Sequence, residues 1–194
     1  MSVCKITPDD HIVMPWKNGE GTTRQIATGG NDPDTGDWGW RVSIAAVERD
    51  GAYSEFPGVD RLTTVVVGNG TDLFHPDGST IALNPFQPTL IPSDVALWGF
   101  LRDEPIVNLN VMTRQGRYTA TAEIMDGPQE RTVETAPSGV LLVYGLGGKC
   151  SLQSDGGDTV AAAEGETLVI EGKGCSGFTL IIEARVANIS IRHD

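Results

Sequence analysis

The chain is poor in the residues that most often carry metal, redox or nucleophilic chemistry. Its three histidines, His11, His75 and His193, are spread from end to end of 194 residues without a His-x-His pair. A mononuclear zinc, iron or manganese site needs imidazoles or carboxylates clustered on neighbouring positions, so no catalytic metal and no cofactor are expected. Cys4, Cys150 and Cys175 are an odd number at wide spacing, which gives neither a disulfide framework nor a paired metal motif and suits a reducing compartment. The Gly-x-Ser-x-Gly elbow of many hydrolases does not occur.

Long apolar runs are missing as well. None approaches the roughly 20 residues of a membrane helix, and residues 1–20 hold Lys5, Asp9, Asp10 and Lys17 but no apolar signal segment. A cytoplasmic protein without a membrane partner is therefore expected. Basic residues are outnumbered, with 14 Lys and Arg against 26 Asp and Glu and a net charge of -12. Nucleic acid, which is held by clustered cations, is excluded as a partner on that ground.

What the chain does have is turn chemistry. Its 24 glycines and 11 prolines separate short segments rich in Val, Ile, Thr and aromatics, the pattern of an all-β protein. Segment 38–47 places Trp40, Val42 and Ile44 on one face and Arg41, Ser43 and Ala45 on the other. Segment 106–113 does likewise, with Ile106, Asn108, Asn110 and Met112 facing one way and Val107, Leu109, Val111 and Thr113 the other. If the apolar set packs inward, Asn108 and Asn110 line solvent or a cavity.

The chain also repeats itself. Val65-Val66-Val67-Gly68-Asn69-Gly70 is echoed by Leu142-Val143-Tyr144-Gly145-Leu146-Gly147, Asp77-Gly78 by Asp155-Gly156, and Thr89-Leu90-Ile91 by Thr167-Leu168-Val169-Ile170. Each copy reads strand, Gly-x-Gly turn, strand, Asp-Gly hairpin, strand, loop, strand, and the hairpins call for positive φ at both central residues. Two related antiparallel units follow, each similar to a cupin half-motif.

Four polar blocks stand out: Pro15-Trp16-Lys17-Asn18-Gly19-Glu20-Gly21-Thr22-Thr23-Arg24, Trp40-Arg41-Val42-Ser43-Ile44-Ala45, Phe56-Pro57-Gly58-Val59-Asp60-Arg61 and Asn108-Leu109-Asn110-Val111-Met112-Thr113-Arg114. In the first, the glycines offer unusual backbone angles among close-spaced hydrogen-bond donors. In order and spacing the four resemble the HutD/Ves family. The resemblance implies two cupin-like (RmlC-like jelly-roll) β-barrels in one chain, a bicupin. The first barrel, residues 1–116, carries the blocks and a pocket; the second, residues 117–194, is mainly structural. It further implies a link to histidine utilisation and a ligand of the urocanate or formylglutamate class. Matching the blocks position by position gives Trp16, Lys17, Asn18, Thr22, Arg24, Arg41, Ser43, Asp60, Arg61, Asn110 and Met112 as ligand-binding candidates.

The chemistry agrees with an anion site, because a guanidinium grips a carboxylate with two charge-assisted hydrogen bonds. The competing expectation is that Arg41 and Arg61 pair internally with Asp60, Asp50 or another carboxylate to hold loops together. Asn108 stands where the family more usually has an acid, and Glu20 where it more usually has glycine, two changes of opposite electrostatic sense. The expected function is a metal-free protein that senses or buffers a small anionic metabolite. The alternative is a metal-free isomerase or epimerase drawing its base from His11, Glu48, Tyr53 or Asp60. Cupin-like sheets associate through their faces, which is compatible with a homodimer.

Overall fold

The computed structural model describes residues 3–16, 21–31, 37–172 and 177–194. Apart from a short 3-10 turn at Pro8–Asp10, its regular structure is entirely β, as the strand-and-turn pattern requires. No described helix is long and apolar enough to cross a membrane. The chain forms two compact units, Ile12–Thr119 and a second made of Met1–His11 with Ala120–Asp194.

The first unit contains β2 (Ile12–Pro15), β3 (Gly21–Gly29), β4 (Trp40–Val47), β5 (Gly51–Tyr53), β6 (Val59–Val67), β7 (Thr71–Phe74), β8 (Thr80–Leu83), β9 (Thr89–Ile91), β10 (Leu97–Leu101) and β11 (Ile106–Arg114). They build a six-stranded sheet in the order β2-β3-β4-β11-β6-β9 and a four-stranded sheet in the order β5-β10-β7-β8. Its core lies between the two. Val47, Val65, Ile91 and Ile106 from the larger sheet meet Leu73, Leu83 and Leu97 from the smaller one. Each such side chain withdrawn from water contributes about 1.5–3 kcal/mol.

The second unit contains β1 (Val3–Ile6), β12 (Tyr118–Asp126), β13 (Gln129–Glu134), β14 (Val140–Gly147), β15 (Cys150–Ser154), β16 (Thr159–Ala162), β17 (Thr167–Glu171), β18 (Gly177–Ile182) and β19 (Arg185–His193). Its sheets run β1-β17-β14-β19-β12 and β13-β18-β15-β16. Residues 3–6 belong here because β1 pairs antiparallel with β17, Val3 opposite Ile170. Leu141, Leu168 and Ile170 of one sheet pack on Leu152, Leu180 and Ile182 of the other.

Two expectations need correction. Closed barrels were expected, but among the described residues each unit is a pair of open sheets, because no ladder joins one sheet of a pair to the other. The Asp-Gly hairpins also differ from the expected two-residue type. Gly78 donates to His75 O at 2.9 Å, His75 donates to Ser79 O, and only Gly78, at φ 90°, is left-handed, so the connection is a three-residue loop, a turn followed by one glycine in αL. The β15–β16 hairpin repeats this, with Gly157 at φ 89° donating to Ser154 O.

Candidate functional site

The larger sheet of the first unit carries a grid of side chains on its inner face. Register places Arg41, Met112 and Arg61 side by side on β4, β11 and β6; Ser43, Asn110 and Thr63 form the next row, and Ala45, Asn108 and Val65 the third. The β11–β6 register shifts between Val107 and Asn108, so all three rows lie on one side of a bulge, a feature often found beside sites. Ile106, one step further along β11, belongs to the apolar core. From Asn108 onward the space between the sheets opens into a cavity of about 80 Å³, which Trp16, Thr23, Tyr53, Phe56 and the grid help to line. That volume holds several waters or a small organic acid.

Arg61 is the key group. It is only 8% exposed, and its Nε and Nη2 both donate to Asn110 Oδ1 at 3.1 Å, where Thr63 Oγ1 also donates at 2.9 Å. Its guanidinium lies over the Tyr53 ring at 5.2 Å and the Phe56 ring at 6.0 Å. Among the described residues no carboxylate pairs with it. Asp60, offered as an internal partner, faces the other way on β6 and accepts from Gln115 Nε2 at 2.8 Å. Asp50 accepts from the Leu101 amide at 2.8 Å.

Burial therefore pulls Arg61 down from the ordinary guanidinium range to about 10, with Tyr53 opposing and the charge of Arg41 acting in the same direction as burial. That corresponds to a cost on the order of 3 kcal/mol for holding the cation in place. Arg41 is lowered too, chiefly by burial and against the pull of Asp37. Its Nη2 donates to Met112 Sδ at 3.2 Å, its Nε is buried without a partner, and its guanidinium lies over Trp38 and Phe56. Burial raises Tyr53, although Asn108, donating to the phenol oxygen at 3.1 Å, lowers it in part. Among the described residues no group of three His, Cys, Asp or Glu side chains is placed to hold a metal ion.

Of the candidates read from the sequence, Trp16, Arg41, Ser43, Arg61, Asn110 and Met112 meet at this cavity. Thr22, Arg24 and Asp60 do not line it. On β3 the alternation sends Thr23 inward, where it accepts from Trp16 Nε1 at 2.9 Å, and leaves Arg24 exposed. Lys17 and Asn18, like Glu20, lie outside the described residues. Gly21 serves a different purpose from the one expected: its φ is not left-handed, but a Cβ there would meet the Trp16 ring at 2.8 Å and Ala46 O at 2.7 Å. Phe56 was missed as a site residue, and Tyr53 was read only as a candidate base of the alternative enzyme. The signal was present in Phe56, which opens the third block, and in Tyr53 just before it.

The sequence model described as HutD matches residues 9–187. Protein Ves of Citrobacter koseri is 33% identical over 150 residues, which is 77% of this chain and 73% of that protein. A Pseudomonas putida protein, described as an uncharacterised 21.2 kDa protein in the hutC 3′ region, is 33% identical over 118 residues, 61% of this chain and 62% of that one. The solved structure of HutD from Pseudomonas fluorescens SBW25, formate condition, superposes with a TM-score of 0.85 at 25% identity, covering all of both chains. The fold is also cupin-like: a cupin 2 conserved barrel domain protein from Leptotrichia buccalis aligns with a TM-score of 0.57 at 13% identity, over 93% of this chain and 92% of that one.

Proposed function

The chain belongs to the HutD family, and on that premise we propose that it binds a small anionic metabolite in the Arg41–Arg61 cavity. In this reading it senses or buffers an acid of the urocanate or formylglutamate class as a regulator of histidine utilisation in the cytoplasm. Each unit then counts as one cupin-like half of a bicupin, with the first unit binding and the second supporting. The link to histidine utilisation comes from the hutC-region relative and the HutD structure.

The observation that carries the proposal is Arg61, a buried guanidinium held by an amide oxygen and two rings and paired with no carboxylate among the described residues, Asp50 on the same cavity being bonded to the Leu101 amide instead. A buried cation of this kind weighs against the folded state, and a bound anion offsets that cost. Binding is favoured over proton-transfer catalysis because Tyr53, the titratable candidate base that lines the cavity, is raised by burial and stays protonated at neutral pH. It is a hydrogen-bond donor there rather than a base.

A thermal-shift series with N-formylglutamate, urocanate and formate tests the proposal. An acid at about 100 times its Kd contributes roughly 2.7 kcal/mol, a rise of several degrees for a chain of this size. Arg61→Met should melt no lower than wild type without ligand, since it removes an uncompensated buried charge, and should lose the acid-induced rise. No rise in wild type with any of the three acids, or an undiminished rise in Arg61→Met, would sink the proposal.

A further inference from the structure

Three arginines and three aromatic rings alternate beside the cavity. Arg114 lies over Trp38 at 5.2 Å, Arg41 over the same ring at 4.9 Å and over Phe56 at 5.4 Å, and Arg61 over Phe56 at 6.0 Å and Tyr53 at 5.2 Å. Arg114, at the outer end, is paired with Asp37 at 3.0 Å. Arg41 and Arg61 are held by rings instead. A ring attracts a guanidinium through its quadrupole but carries no net charge, so neither cation is paired with a carboxylate, although Arg41 feels the charge of Asp37, and an N–H edge stays available.

Their separation is set by the sheet. Arg41 and Arg61 both stand opposite Met112, one strand to either side of it, so their stems rise about 10 Å apart. Phe56 stands against both guanidiniums. It reaches there from the Phe56-Pro57-Gly58-Val59 turn, in which Val59 N donates to Phe56 O at 3.2 Å and Gly58 takes φ 73°, the type II geometry that a Pro-Gly pair favours. Phe56 N donates to Ser93 O, and Ser93 Oγ donates to Val59 O, which pins the turn.

We infer that Phe56 divides the cavity into two anion subsites, one on Arg41 and one on Arg61, so that the site selects acids with two anionic groups over acids with one. This rests on the anion-binding reading above and narrows it. A diacid neutralises both guanidiniums, whereas a monoacid leaves one of two mutually repelling cations without a counter-charge. Phe56 is a positioning residue in this scheme, since it keeps the two guanidiniums apart and facing one space.

Calorimetric titration of the full chain with succinate, glutarate and adipate, each against its monomethyl ester, tests the inference because the ester removes one charge with little change of shape. The best diacid should bind at least about tenfold more tightly than its ester. Arg41→Met should bring that diacid down to the level of its ester while leaving the ester's affinity nearly unchanged. Phe56→Ala should shrink the preference and Phe56→Tyr restore it. Equal binding of diacid and ester to the wild-type protein overturns the two-subsite inference and leaves the anion pocket standing. Failure of every acid to bind at millimolar concentration overturns both. The wild-type comparison needs no variant, so a substitution that fails to fold does not protect the inference.

Discussion

Arg61 sets the electrostatics of the cavity, and its pH dependence can be worked out. Its folded value, about 10, lies below that of an ordinary guanidinium. Below pH 10 the group is charged in both the folded and the unfolded chain, so the full cost of burying the charge weighs on the folded state. The cost is relieved as pH rises through 10 and the folded protein releases the proton. An anion needs the charged form, so affinity for N-formylglutamate should be flat from pH 7 to 9 and then weaken by up to about tenfold per unit above 10. Titrations between pH 7 and 11 check this, and a loss of affinity centred near pH 6.5, where histidine titrates, would contradict it. At this scale the sequence was informative wherever alternation was unbroken. Arg41, Ser43, Asn110 and Met112 all face the cavity as their parity requires. Thr22 and Arg24 fell on the wrong face because the motif says which residues are close in sequence, not which parity points inward. Whether Arg41 and Arg61 pair with Asp60 or Asp50 also depended on distances between strands that sequence does not give.

Among the elements, the three adjacent strands β4, β11 and β6 form the wall of the site, while the turn at Phe56–Val59 supplies the ring between the arginines. Gly58 permits a direct test of that turn. An added Cβ would meet nothing within 4 Å, yet the residue sits at φ 73°, so Gly58→Ala acts only through backbone strain of about 1–2 kcal/mol. Gly78, at φ 90° with equally open surroundings, lies on the β7–β8 hairpin away from the cavity and serves as the control. Both alanine variants should lose a few degrees of Tm, but only Gly58→Ala should also weaken acid binding. Equal affinity in the two variants would mean that the turn does not position Phe56 for binding. Strand existence was legible in the sequence because turn residues bracket short β-branched runs. The hairpin type was not, since Asp77-Gly78 and Asp155-Gly156 suit several turns, and the choice between them lies with the register of the paired strands.

For the whole molecule, a net charge of -12 disfavours an approaching anion, so affinity must arise from the short-range field of Arg41 and Arg61. Salt at physiological strength screens charges beyond about 8 Å and damps the long-range repulsion more than contacts inside the cavity. The order of strand, turn and hairpin was readable because both copies carry glycine and Asp-Gly punctuation in the same order, but the second copy's turn was misplaced: Gly145 and Gly147 lie in β14, and the left-handed glycine is Gly148. That the sheets stay open pairs, and that residues 3–6 join the second unit through β17, depend on long-range strand pairing that no local pattern reveals. The most direct test of the central claim is diffraction from crystals of the protein soaked with N-formylglutamate. A carboxylate should lie within hydrogen-bond distance of the free edge of the Arg61 guanidinium, beneath Tyr53 and Phe56. Ordered ligand elsewhere on the molecule, with only water beside Arg61, would contradict it.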